Sequence, residues 1–127
     1  MNLKKLFIII NIIFFIYFSI QLLFFTDEFA LKNIGFFNHA VAGLAEIIGI
    51  IFLSFSFALS IIFLKGTKNQ LPIFLCIFLI QFVIAANFWR YIITNSPGET
   101  NLETIMINAV LFSLVSFVTM YILIKRD

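Results

Sequence analysis

Residues 40–64 read AVAGLAEIIGIIFLSFSFALSIIFL: 25 positions with a single charge, Glu46, and no proline. A helix rises 1.5 Å per residue, so about 20 residues cross the roughly 30 Å hydrocarbon core of a bilayer. This stretch is long enough to do so. Three more segments share its character, at about 6–25, 71–90 and 103–124. The whole chain agrees with them: of 127 residues 63% are hydrophobic and 11% charged, with mean hydropathy +1.16. A water-soluble domain of this size has too little polar material here to cover its surface. The solvent for most of the chain is therefore lipid. A net charge of +2 with no basic stripe excludes a nucleic-acid binder. Cys76, the only cysteine, excludes a disulfide scaffold and a thiolate metal cluster.

The first segment is too long for a secretory apolar region and runs through Leu22, Leu23, Phe24 and Phe25 into Thr26-Asp27-Glu28 with no small-residue cleavage site. It reads as a permanent span. The residues outside the four spans are too few for a soluble domain, so positions 1–127 read as one four-helix transmembrane domain. Lys4, Lys5, Lys65, Lys68, Lys125 and Arg126 fall on one side of such a chain; Lys32 and Arg90, with Asp27, Glu28, Glu99 and Glu103, fall on the other. Cytoplasmic loops collect lysine and arginine, which predicts both termini in the cytoplasm and the 26–39 and 91–102 connections outside. The expected fold class is all-α: an integral membrane, up-down four-helix bundle with short loops.

Ser96-Pro97-Gly98-Glu99 reads as a turn, and Thr100-Asn101-Leu102-Glu103 fits a capping box that starts span four near residue 101. Pro72 suits the beginning of span three. The 26–39 connection is too apolar to float in water, carrying Phe29, Leu31, Ile34, Phe36 and Phe37, and is expected to lie in the headgroup region as a short amphipathic or irregular segment. Trp89 and Tyr91 mark the same outer interface.

Chemistry is sought among polar residues inside the hydrocarbon. Glu46 lies about six residues inside span two, Gln21 about four from the outer end of span one, Asn87 about three from that of span three, and Asn108 about five from that of span four, which places all four in one shallow outer layer. His39 and Arg90 sit just above it. Intramembrane charge costs on the order of 3 kcal/mol at mid-bilayer, so such residues normally face the bundle interior. His39, Ala42, Glu46, Gly49, Leu53, Ser56 and Ser60 recur at alternating spacings of three and four, which puts Glu46 on a stripe of small residues suited to helix packing. A loop of roughly six residues between spans two and three suggests that they adjoin, and Arg90 could then reach Glu46. The candidate pocket is therefore Glu46, Arg90, Asn87, Asn108, Gln21 and His39.

Each of these residues also has a structural reading. Glu46 can be an acid that only ties helices together, His39 an interfacial residue or cap, and Arg90 an anchor that reaches up to water. Asn108, Gln21 and Asn87 can be interhelical glue. The serines, Thr119 and the nineteen phenylalanines read mainly as packing and lipid contacts. With one histidine and no cysteine at its depth, no metal site is expected, and no cofactor. Gly-rich phosphate loops, HExxH, paired cysteines and G-x-S-x-G are all missing, so no catalytic residue is assigned.

The stretch His39-Ala40-Val41-Ala42-Gly43-Leu44-Ala45-Glu46-Ile47-Ile48-Gly49, with Asn87-Phe88-Trp89-Arg90 before a turn containing Gly98, resembles small four-span bacterial proteins of the DoxX-like and related uncharacterised families. That resemblance implies a four-helix bundle of the bacterial inner membrane, a multi-pass protein of the cell membrane, and supplies no reaction. Two functions follow as expectations. One is an accessory or scaffold subunit that packs with a membrane partner or with itself in the lipid bilayer. The other is a binder or carrier of a small amphipathic ligand or proton, using the outer pocket around Glu46.

Overall fold

The computed structural model describes residues 1–94 and 101–125. Over these residues the chain is helical: α1 Leu3–Phe24, α2 Thr26–Asn33, α3 His39–Lys65, α4 Leu71–Thr94 and α5 Leu102–Lys125. The four long helices are α1, α3, α4 and α5. They have the length and composition to cross a membrane, and their ends lie within a few residues of those expected from the sequence. The short helix α2 occupies the 26–39 connection.

The helix ends have local causes. Asn2 and Asn38 cap α1 and α3 by accepting from the Lys5 and Val41 amides at 2.8 and 2.9 Å. The α5 cap is Asn101, whose side chain accepts from the Thr104 amide at 3.2 Å; the expected Thr100 and the Ser96–Glu99 turn lie outside the described residues. At the α1–α2 joint the Thr26 hydroxyl donates to the Leu22 carbonyl at 2.6 Å. Helix α2 starts with Asp27 and Glu28 and ends with Lys32, the order that the helix dipole favours. It stops where the Ile34 and Gly35 amides both donate to the Ala30 carbonyl. Gly35 holds φ at 80°, a left-handed conformation that suits glycine at this position.

Helix α1 packs closely against α3, α4 closely against α5, and α1 against α5 joins the two pairs. Helices α3 and α4, although consecutive, nowhere bring their Cα atoms within 8 Å of each other. The expected adjacency of spans two and three does not hold. Their five-residue connection spans up to roughly 16 Å, so chain length does not force contact. What does force contact is small side chains: a Cβ placed on Gly49 of α3 would stand 2.8 Å from Leu23 Cγ and 3.1 Å from Leu22 Cβ of α1. Lipid offers no hydrophobic drive between helices, so this close approach and its dispersion contacts hold the pair.

The core is aromatic. Phe112 of α5 lies 4.9 Å, centroid to centroid, from both Phe14 and Phe18 of α1, 5.7 Å from Phe88 of α4 and 6.5 Å from Phe52 of α3. Edge and tilted ring pairs of this kind add about 0.5–1.5 kcal/mol each beyond area burial. Phe14, Phe15, Phe18, Phe52, Phe74 and Phe112 are buried. Six of the nineteen phenylalanines thus build the interior, while the other thirteen are half-buried or exposed.

Candidate functional site

The inward face of α3 runs through Ala45, Gly49, Phe52, Ser56, Leu59 and Ile62. Glu46, one residue on from Ala45, is turned about 100° away and is exposed. The expected stripe is therefore half correct: Gly49 and Ser56 face inward, and Glu46 and His39 do not. Glu46 lies ~10 Å along a helix of about 40 Å, longer than the hydrocarbon core, which leaves its carboxylate close to the headgroup level. His39 is exposed at the first turn of α3. Asn87 and Arg90 of α4 are exposed as well, and they pair with each other: Arg90 Nη2 donates to Asn87 Oδ1 at 3.0 Å, and the guanidinium lies 5.0 Å from the Tyr91 ring centroid. Because α3 and α4 stand apart, Arg90 does not join Glu46. The outer polar layer does not converge on Glu46.

Two of the six candidates do meet a cavity. It measures about 480 Å³ and lies between the C-terminal end of α1, the helix α2 and the N-terminal end of α5. Gln21 and Asn108 line it, together with Tyr17, Ile20, Phe25, Glu28, Phe29, Lys32, Asn33, Thr104 and Ile107. Helix α2 forms one wall because Ala30 is fully buried and Phe29 packs against the aromatic core. Of the 26–39 connection, expected to be a short amphipathic or irregular segment, residues Thr26–Asn33 form a helix, and that helix builds one wall of the site.

Within the wall, Asn33 of α2 donates from Nδ2 to the Phe29 carbonyl at 3.0 Å and accepts at Oδ1 from Asn108 Nδ2 of α5. Both asparagines are buried. No hydrogen bond to the side chains of Gln21, Glu28, Lys32 or Thr104 is present among the described residues. Asn108 Oδ1 likewise has no partner there, and it is not sealed from the cavity. Pockets that hold small amphipathic molecules combine largely apolar walls with a few convergent polar groups in this volume range.

A second polar cluster escaped the sequence reading. Near the middle of the bundle, Gln81 Nε2 of α4 donates to Asn11 Oδ1 of α1 at 2.7 Å, and Asn11 Nδ2 donates to the Phe7 carbonyl at 3.1 Å. Thr119 Oγ1 of α5 lies 2.6 Å from Gln81 Oε1, 2.9 Å from its own Val115 carbonyl and 3.1 Å from Asn11 Oδ1. One hydroxyl proton serves one of these acceptors at a time, and the shortest, Gln81 Oε1, is its natural target. All three side chains are at most 1% exposed, and each of their polar atoms has a partner. The signal was present in the sequence: Gln81 is an amide alone in the middle of an apolar span, matched in two other spans by Asn11 and Thr119.

Fold and site define a small multi-pass membrane protein, a helical bundle with a polar lock at its centre and an open cavity near one end. No protein-family model, curated protein or solved structure matches the chain.

Proposed function

We propose that this protein binds a small amphipathic molecule in the cavity between α1, α2 and α5. The observation that carries the reading is a cavity of about 480 Å³ with apolar walls from Ile20, Phe25, Phe29 and Ile107 and unsatisfied hydrogen-bonding groups on Gln21, Asn108 and Thr104. The site lies at the end of the bundle opposite Lys4, Lys5, Lys65, Lys68 and Lys125. By the bias of lysine toward the cytoplasm, it opens on the outer side of a cell membrane. An amphiphile suits that depth: its chain lies along apolar wall while its head meets the polar groups. The test is native mass spectrometry of the full chain released gently from detergent. A retained adduct that is lost in Asn108→Leu combined with Gln21→Leu supports the reading; a bare protein mass in both overturns it.

A second reading is favoured by Glu46. An acid exposed on the outer face of α3 fits an accessory subunit that packs against a membrane partner or a second copy of itself, since a carboxylate at a helix–helix interface near the headgroups gains a counter-charge. Native mass measurement giving only a partner-free monomer, together with no crosslink from position 46 to another helix in intact membranes, would rule this reading out.

A further inference from the structure

We infer that the molecule held in the cavity carries an ammonium with N–H donors, as in a phosphoethanolamine headgroup. This rests on the amphiphile-binding reading above and names the headgroup. The argument begins at a backbone atom that can only accept. The Phe29 carbonyl takes a hydrogen bond from Asn33 Nδ2 at 3.0 Å. The reverse amide orientation would set Asn33 Oδ1 against that carbonyl, two acceptors face to face, so Asn33 must present Oδ1 toward α5. There it takes Asn108 Nδ2. Asn108 is fixed in turn, and the atom it leaves for the cavity is its carbonyl oxygen. Two amides in series thus turn a backbone acceptor into a fixed acceptor on the cavity wall, on a side chain only 5% exposed, with no partner among the described residues.

The charges at the rim agree with this polarity. Glu28 and Lys32 lie one turn apart on α2, both line the cavity, and neither makes an ion pair or side-chain hydrogen bond among the described residues. Glu28 adds a second, anionic acceptor for an ammonium, and Lys32 adds a cation for the phosphate beside it. A quaternary ammonium has no N–H to give Asn108 Oδ1. A headgroup with phosphate and no ammonium meets Lys32 but also faces Glu28 with no counter-charge. The primary ammonium next to a phosphate satisfies all three groups.

The experiment titrates the purified full chain in detergent with short-chain phosphatidylethanolamine, its successively N-methylated forms up to phosphatidylcholine, and phosphatidylglycerol, reading adduct occupancy by native mass spectrometry. Affinity is expected to fall step by step as N–H groups are replaced, to about tenfold weaker at phosphatidylcholine, the loss of one charge-assisted hydrogen bond. Glu28→Gln, on an exposed side chain, is expected to weaken every ammonium-bearing member severalfold while the protein stays folded and the fall across the series, read by Asn108, remains. Equal affinity across the series, or preference for phosphatidylglycerol, with binding still abolished by Asn108→Leu combined with Gln21→Leu, overturns the headgroup assignment and leaves amphiphile binding standing. No adduct with any of these lipids overturns the headgroup assignment, and a bare protein mass on gentle release as well overturns both.

Discussion

The two polar layers of this bundle use the same chemistry to opposite ends. Asn11, Gln81 and Thr119 are buried between α1, α4 and α5, away from the helix ends, and Asn33 and Asn108 are buried near α2. Both layers are built from carboxamides on different helices joined across the interior. In the central layer each amide oxygen and nitrogen meets a protein partner and all three side chains are sealed in the interior, so the cluster holds α1, α4 and α5 in register. In the outer layer the chain of hydrogen bonds ends on Asn108 Oδ1, which faces a cavity. A buried polar group in a membrane helix is thus structural or functional according to whether its hydrogen-bond valence closes within the protein.

The comparison can be broken by substitution, and the largest effect is expected at the central layer. Gln81→Leu removes the amide that both Asn11 and Thr119 use, and is expected to destabilise the fold by about 2–3 kcal/mol in a reversible detergent unfolding assay, with no change in ligand retention by the molecules still folded. A stability loss below about 0.5 kcal/mol would show that the lock is not closed in the native state.

Packing provides the next probe. Gly49→Ala places a methyl group 2.8 Å from Leu23 Cγ. It is expected to cost about 1–3 kcal/mol by pushing α1 from α3. Gly43→Ala, where no atom lies within 4 Å, is expected to be neutral or to stabilise by up to about 1 kcal/mol. Equal effects at the two glycines would contradict the close α1–α3 approach.

The outer layer should answer differently. Asn33→Leu removes one amide of a two-residue chain and is expected to cost about 1 kcal/mol of stability, yet to abolish ligand retention, because Asn108 is then free to rotate. The smallest stability effect belongs to Glu28→Gln, within about 0.5 kcal/mol of wild type as expected for a surface substitution, with a severalfold loss of ligand affinity. Together these positions separate stability from binding: Gln81 moves the first alone, Glu28 the second alone.

The spans were legible because the bilayer imposes length and composition directly: four apolar runs of about 20 residues or more leave little choice. Which face of each run points inward was not legible. Lipid and core select the same side chains, so an apolar stripe on α3 can be drawn through Glu46 and Gly49 as easily as through Ala45 and Gly49. Only packing in the fold chooses between them, burying Ala45 and Phe52 and leaving Glu46 exposed. The adjacency of helices was misjudged for a related reason, since a short loop bounds a distance without creating a contact. Gln21 and Asn108 were found from depth alone, because depth follows from counting residues. Glu28, Lys32 and Asn33 were missed because charge and amide on an eight-residue connection look like ordinary loop polarity until α2 folds back over the bundle.

The central claim is that the cavity bounded by α1, α2 and α5 is a binding site and the layer at Asn11, Gln81 and Thr119 is not. A high-resolution structure of the full chain in phospholipid nanodiscs tests it most directly. The account predicts elongated non-protein density in the cavity, its head between Asn108 and Glu28, and unbroken side-chain density in the central layer. A cavity closed by Phe29 and Ile107 packing into it, with density for a bound molecule elsewhere or nowhere, would contradict the account.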